Sequence, residues 1–176
     1  MARRNYAFDA NNQLSDGGAA ITVAGWATVG GAQGIVDLGG NQGITITLPS
    51  IANTSTITPQ QARIDAVAVI YISAMTIAGS DLYRVMVVGS NNPGLNVAAG
   101  NYILGMLEFG IGTAMDAPNC ANSAAAAAYG GPSGNQYEIL FTNEVAGTPL
   151  EFISLYVTGT FGSVTLNAFV AVLPRE

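Results

Sequence analysis

The chain has 176 residues, enough for one domain with a full core, yet only 9% of it is charged: five Arg, eleven Asp or Glu, no Lys and no His, for a net charge of −6. Ordinary soluble surfaces carry charge on about 25–35% of positions, so much of this exterior must be Gly, Ala, Ser, Thr, Asn and apolar groups, as on a protein that lies against neighbours. Arg63, Arg84 and Arg175 stand singly, which excludes a phosphate-binding groove for nucleic acid; the lone Cys120 excludes an internal disulfide; and the longest apolar run, AVAVIYI at 66–72, is far short of the ~20 residues of a membrane helix.

Residues 1–18 read as an N-terminal arm. The opening MARRNYAFDANNQ turns polar at once, without the apolar stretch of a signal peptide, which predicts synthesis and assembly in a cytoplasm. Arg3, Arg4, Tyr6 and Phe8 combine charge with aromatic rings, as contact hot spots do, and a plain flexible tail fits the same residues. AAITVAGWA (19–27) and GIVDLG (34–39) follow as strand candidates. GITITLP (43–49) then alternates Ile44, Ile46 and Leu48 against Thr45 and Thr47.

ARIDAVAVIYISAM (62–75) and DLYRVMVVG (81–89) are apolar on both faces, which predicts strands that lie centrally or have their outer face covered. NYILGMLEFG (101–110) is a further strand. QYEILFTN (136–143) sets Tyr137, Ile139 and Phe141 on one side. EFISLYVTGT (151–160) sets Ile153, Leu155 and Val157 together, and SVTLNAFVAVL (163–173) does the same with Val164, Leu166, Ala168, Val170 and Val172. Gly, Asn and Pro in SDGG, LGGNQG, SNNPG and GGPSG supply the turns. Eight or nine short strands without an amphipathic helix predict an all-β fold, an antiparallel β-sandwich of jelly-roll type, with a single domain over 19–176.

The longest insertion, 111–135, contains NCANSAAAAAYGGPSGN. A five-alanine run is shorter than the ~12–15 residues an isolated helix needs, and Gly130, Gly131 and Pro132 would stop one, so a single helical turn around Ser123–Tyr129 is expected. Uncharged Ala, Gly and Ser can fail to fold; alternatively the loop docks on a partner. In the docking case Ala124, Ala126 and Ala128 let backbones approach without stranding a buried charge, and Tyr129 serves as an anchor.

The missing residue types are informative. Without His there is no Ser–His or Cys–His nucleophile and no histidine-ligated zinc; without Lys there is no Schiff base and no P-loop. Carboxylate chemistry survives: a glycosidase needs two acids about 5–9.5 Å apart, and Asp81, Glu108 and Glu138 lie on or beside predicted strands. Solvated or edge-protecting charges explain the same three residues. Calcium has carboxylates and carbonyls to use but no D-x-[DN]-x-[DN]-G run. No cofactor is expected. Trp26 reads as a core or interface residue, and Cys120 as an inert small hydrophobe.

Three stretches carry a resemblance: LSDGGAAITVAGWATVGGAQGIVDLGG, VMVVGSNNPG and LEFISLYVTGTFGSVTLNAFVAVLP. With V-D-L-G at Val36–Gly39 and a closing hairpin over Tyr156–Ala168, the chain is similar to the jelly-roll cement proteins that decorate the capsids of tailed bacteriophages. It departs from that pattern by extra length at 43–61 and 111–135. The resemblance implies no enzyme activity. It implies a homo-oligomer, commonly a trimer, seated on the virion exterior where major capsid protein subunits meet. A carbohydrate- or receptor-binding jelly roll of a phage tail or a secreted protein is the alternative, and it would cluster exposed aromatics on one face or loop end.

Overall fold

The computed structural model describes residues 9–39, 44–47, 54–57, 63–76, 81–95, 100–110, 123–125, 136–160 and 162–172. A single 3-10 turn at Ala10–Asn12, capped by the Asp9 carboxylate on the Asn11 amide, leads into β1 (Gln13–Asp16). Short strands follow: β2 (Gly25–Trp26), β3 (Thr28–Val29), β4 (Ala32–Gln33) and β5 (Ile35–Asp37). β6 (Ile44–Thr47) and β7 (Thr54–Ile57) pair with each other as a two-stranded hairpin. The long strands are β8 (Asp65–Thr76), β9 (Leu82–Ser90) and β10 (Asn101–Gly110). After β11 (Ser123–Ala125) and β12 (Gln136–Thr142), the small hairpin β13 (Glu144–Val145) and β14 (Thr148–Pro149) precedes β15 (Phe152–Thr160) and β16 (Ser163–Val172).

Two sheets result. One runs β1-β16-β8-β12; the other runs β11-β10-β9-β15-β2, with β5 also paired to β15. Every pairing within them is antiparallel except β10 with β11. Their inner faces share one core. Ala66, Ala68, Ile70 and Ile72 of β8, with Val164, Leu166, Ala168 and Val170 of β16, meet Val85 and Val87 of β9, Leu107 and Phe109 of β10, and Ile153, Leu155 and Val157 of β15. The period-two alternation of β15 and β16 therefore places Ile153, Leu155 and Val157 of one and Val164, Leu166, Ala168 and Val170 of the other in the core, where each fully buried aliphatic contributes about 1.5–3 kcal/mol. β8 and β9, apolar on both faces, are interior strands of their sheets.

Several sequence expectations come out differently. Gln13–Asp16, counted with the arm, is a strand on β16, and its Leu14 is fully buried in the core. AAITVAGWA yields only an isolated bridge, Ile21 to Val164, and the two residues of β2. Val172 is the last residue of β16 and is exposed rather than packed with its row. The helical turn expected at Ser123–Tyr129 is corrected at its start: Ser123–Ala125 is extended and pairs in parallel with Glu108–Gly110. A run too short to hold a helix takes the conformation its neighbour offers, and an unfinished sheet edge offers hydrogen bonds.

Two ties lock the sandwich. Tyr83, fully buried on the inner face of β9, donates its hydroxyl to the carbonyls of Thr76 and Ser163, where β8 ends and β16 begins in the opposite sheet. Burial holds that phenol above its ordinary pKa of 10.0, so it remains a donor. At the other tie Gly34 approaches β1 so closely that a Cβ there would stand 2.1 Å from the Leu14 carbonyl oxygen. Only glycine allows that approach.

Candidate interaction surface

The outward face of the four-stranded sheet is built by the residues that alternate with the core row. Register places them in three cross-strand lines: Asn167–Tyr71–Gln136, Phe169–Val69–Glu138 and Ala171–Val67–Leu140. Val67 and Val69, on the middle strand, are buried although they point away from the core. Tyr71 is 44% exposed and Leu140 62%. Glu138 is the one charged residue in the nine positions of these lines, and the face continues to Asp65 of β8, opposite Thr142, and to Asp16 of β1, opposite Asn167. A solvated sheet face normally alternates toward charge and hydroxyl; between its acids this one presents the rings and aliphatics of Phe169, Tyr71, Val69, Val67 and Leu140.

The same sheet edge adjoins β10. Gly105 sits on the inner face of β10, where a Cβ would stand 2.5 Å from Ile139 Cγ2 and 3.3 Å from the Leu140 carbonyl oxygen of β12. Phe109 of β10 meets Tyr137 of β12 edge-on, with ring centroids 4.8 Å apart. β10 and β12 thus close one long side of the sandwich, and Ile103 there is 61% exposed.

A separate hollow of about 280 Å³ is lined by Asn91, Gly100, Tyr102, Val145, Ala146, Thr148 and Leu150. No charged side chain lines it. Asn91 accepts from the Glu151 amide at 2.9 Å and donates to the Pro149 carbonyl at 3.2 Å, so its amide holds the β13–β14 hairpin against β9.

Glu108 and Glu138 do not converge. Leu107 and Phe109 face the core, so Glu108 faces outward from its own sheet; it is fully buried and bonded to Arg84 Nε at 2.7 Å. Glu138 faces outward from the opposite sheet, and the two layers stand about 10 Å apart between them. Asp81 precedes β9. Among the described residues no group of three or more Cys, Asp or Glu side chains is placed to hold a metal ion, and no helix is long and apolar enough to cross a membrane.

Of the contact residues expected from sequence, Ala124 lies in β11 opposite Phe109 of β10. Arg3, Arg4, Tyr6, Phe8, Ala126, Ala128 and Tyr129 lie outside the described residues. Trp26 is half-buried and stands edge-on to Tyr156, centroids 4.9 Å apart. Tyr71, Ile103 and Leu140 were not singled out by sequence reasoning. Leu140 carried a signal, being a leucine on the side of QYEILFTN opposite Tyr137, Ile139 and Phe141. No family model, no curated protein and no solved structure matches this chain.

Proposed function

We propose that the protein is a non-enzymatic structural protein of a virion, a cement or decoration protein that binds the major capsid protein shell from outside and stabilises it. The observation that carries the reading is the outward face of the four-stranded sheet, where Tyr71, Leu140 and Phe169 lie in lines holding a single charge. Such a patch suits burial against another protein, because only Glu138 among these nine positions would need a partner for its charge. The acidic chain suits a position away from packaged nucleic acid. The outward, opposed placement of Glu108 and Glu138 supports a role without catalysis.

The strand order supports a jelly roll. Counting β1, β2 with β5, β8, β9, β10, β12, β15 and β16 as eight successive positions, the sheets read 1-8-3-6 and 5-4-7-2. The two sheets exchange the chain as two interlocked Greek keys do. Arg3, Arg4, Tyr6 and Phe8, together with Ala124, Ala126, Ala128 and Tyr129, are the further contacts proposed with the shell or a sister subunit. The family resemblance puts the copy number at three.

Co-sedimentation with assembled empty shells of the major capsid protein tests the reading. The wild-type chain should pellet with shells, and Tyr71→Glu should lower retention at least tenfold while its melting temperature holds. Removal of 111–135, which takes the three-residue strand β11 with it, or of the residues before Asn12, should weaken retention while the core of the two sheets remains. A wild-type chain that stays in the supernatant at every concentration rejects the proposal. The neutral hollow beside Tyr102 favours a second reading, a carbohydrate-binding module, which predicts glycan-array signal that Tyr102→Ala removes.

A further inference from the structure

Asp16–Gly17 is the one place in the 176 residues where an Asp or Asn precedes a Gly. A glycine nitrogen has no side chain beside it, so it is the backbone nitrogen best able to reach the carboxyl carbon of the residue before it. The structure ties this dipeptide down on both sides. Asp16, the last residue of β1, is partly exposed, yet each of its carboxylate oxygens accepts a backbone amide: Oδ1 that of Gly18 at 2.8 Å and Oδ2 that of Gly30 at 2.6 Å. Gly17 has a left-handed φ of +67°, and a Cβ built on it would stand 2.8 Å from the Asn167 side chain, which closes over it. Gly30 belongs to the tip of the β3–β4 hairpin, which is held by two pairs, Thr28 with Gln33 and Val29 with Ala32. Gly30 and Gly31 both have positive φ, as a two-residue hairpin turn requires, and a Cβ built on either would meet nothing within 4 Å.

We infer that Asp16–Gly17 is the chain's site of spontaneous isoaspartate formation, and that the β3–β4 hairpin restrains the reaction through the Gly30 amide. In the reaction the Gly17 nitrogen attacks Asp16 Cγ. The N–Cγ bond forms, a Cγ–O bond breaks, and water leaves with the amide proton and the hydroxyl of the protonated carboxyl, closing a five-membered imide. Water then adds at either imide carbonyl. At Cγ it restores aspartate; at the backbone carbonyl it breaks the bond to the Gly17 nitrogen and leaves the chain running through Cγ. No oxidant takes part, and the final mass is that of the starting chain. Two N–H donors on the carboxylate favour the anion, whose carbon is a poor electrophile. The same two bonds fix the side-chain torsions and keep Cγ from swinging onto the Gly17 nitrogen. A hairpin of two pairs opens far more readily than the sandwich does, so loss of the Gly30 bond is the step that admits the reaction. The product adds a methylene to the backbone at the residue paired with Asn167 and moves the acid group off the two amides, so the hairpin loses its tie to β1.

The inference stands apart from the proposed function and requires no partner. The full chain is aged near neutral pH at about 37 °C, folded, in a series of sub-denaturing urea concentrations, and fully unfolded in urea. Peptide mapping with electron-transfer fragmentation separates isoaspartate from aspartate at equal mass and counts it at residue 16. The unfolded chain should form it there at least tenfold faster than the folded chain, and Asp16→Glu, one methylene longer, should lose the product. Gly31→Val forces a β-branched residue into a left-handed turn position and should raise the folded rate at least threefold, with the rate in full urea unchanged. Across wild type, Gly31→Val and the urea series, the rate should rise with amide exchange at Gly30 and not with that of the β16 core amides Val164–Val170. The series needs no variant to fold. A rate that follows the β16 amides instead assigns the reaction to global unfolding and overturns the hairpin's part in it. An unfolded chain without isoaspartate at residue 16, or equal rates folded and unfolded, overturns the inference as a whole.

Discussion

Asn143 and Leu150 hold each other by two hydrogen bonds: the Leu150 amide donates to the Asn143 carbonyl at 2.6 Å, and Asn143 Nδ2 donates to the Leu150 carbonyl at 3.1 Å. The same side chain accepts the Ile64 amide through Oδ1 at 2.7 Å. Fully buried, Asn143 thereby closes the β13–β14 hairpin and fastens the entry of β8 to the exit of β12. Replacing it by Ala leaves an amide and a carbonyl without those partners, so Asn143→Ala should cost about 2–4 kcal/mol. A scanning calorimetry midpoint about 5–15 °C lower checks it.

Glu108 is buried against an Arg84 side chain that is itself partly exposed. Arg84→Met removes the guanidinium and leaves the carboxylate in its buried place, at a cost of about 3 kcal/mol. Arg84→Met with Glu108→Leu removes the charge as well, and should recover most of that loss. Urea titration of the single and double variants measures the coupling.

Asp16 accepts the Gly30 amide at 2.6 Å and the Gly18 amide at 2.8 Å, and these bonds, Gly30 first, hold its carboxyl below the ordinary 3.8. Because the folded value is depressed, the contribution is present above 3.8 and is lost as pH falls through the folded value. Wild type should therefore exceed Asp16→Asn in stability near neutrality, and the gap should close in acid. Denaturation midpoints taken from pH 7 to pH 2 would show the two curves converging.

At Gly34 the obstacle to a side chain is backbone, the Leu14 carbonyl, which cannot swing aside as a rotamer can. Gly34→Ala should cost about 3 kcal/mol, the upper end for overpacking, and should loosen β1 from the sheet. Faster amide exchange at Gln13–Asp16, with β9 and β10 unchanged, is the expected signature.

What was legible in the sequence follows from the physics of each element. β15 and β16 read clearly because three successive members of one row and four of the other enter the core. β8 and β9 read as interior strands because both their faces are apolar. AAITVAGWA misled because alternation reports which side a residue faces and not how long the pairing lasts; of its nine residues, Ile21 bridges to Val164 and pairing resumes only at Gly25–Ala27. Ser123–Ala125 misled because alanine propensity speaks for an isolated chain, whereas the edge of β10 decides here. The Arg84–Glu108 pair needed the strand register that sets those two residues opposite each other. Ile103 and Leu140 were hidden for the same reason: nothing local says that their two strands end up on one side of the molecule.

β16 lies between β1 and β8, so the first and last strands of the fold are neighbours and the last one completes the middle of its sheet. Before β16 has emerged nothing joins β1 to β8, however much of the preceding chain is available. Folding of this sheet must therefore wait for β16 itself, and with its contacts so distant along the chain it should be slow, on the order of milliseconds to seconds. During that interval the unfilled sheet is exposed to other newly made copies, so the rate of synthesis bears directly on the yield of native protein.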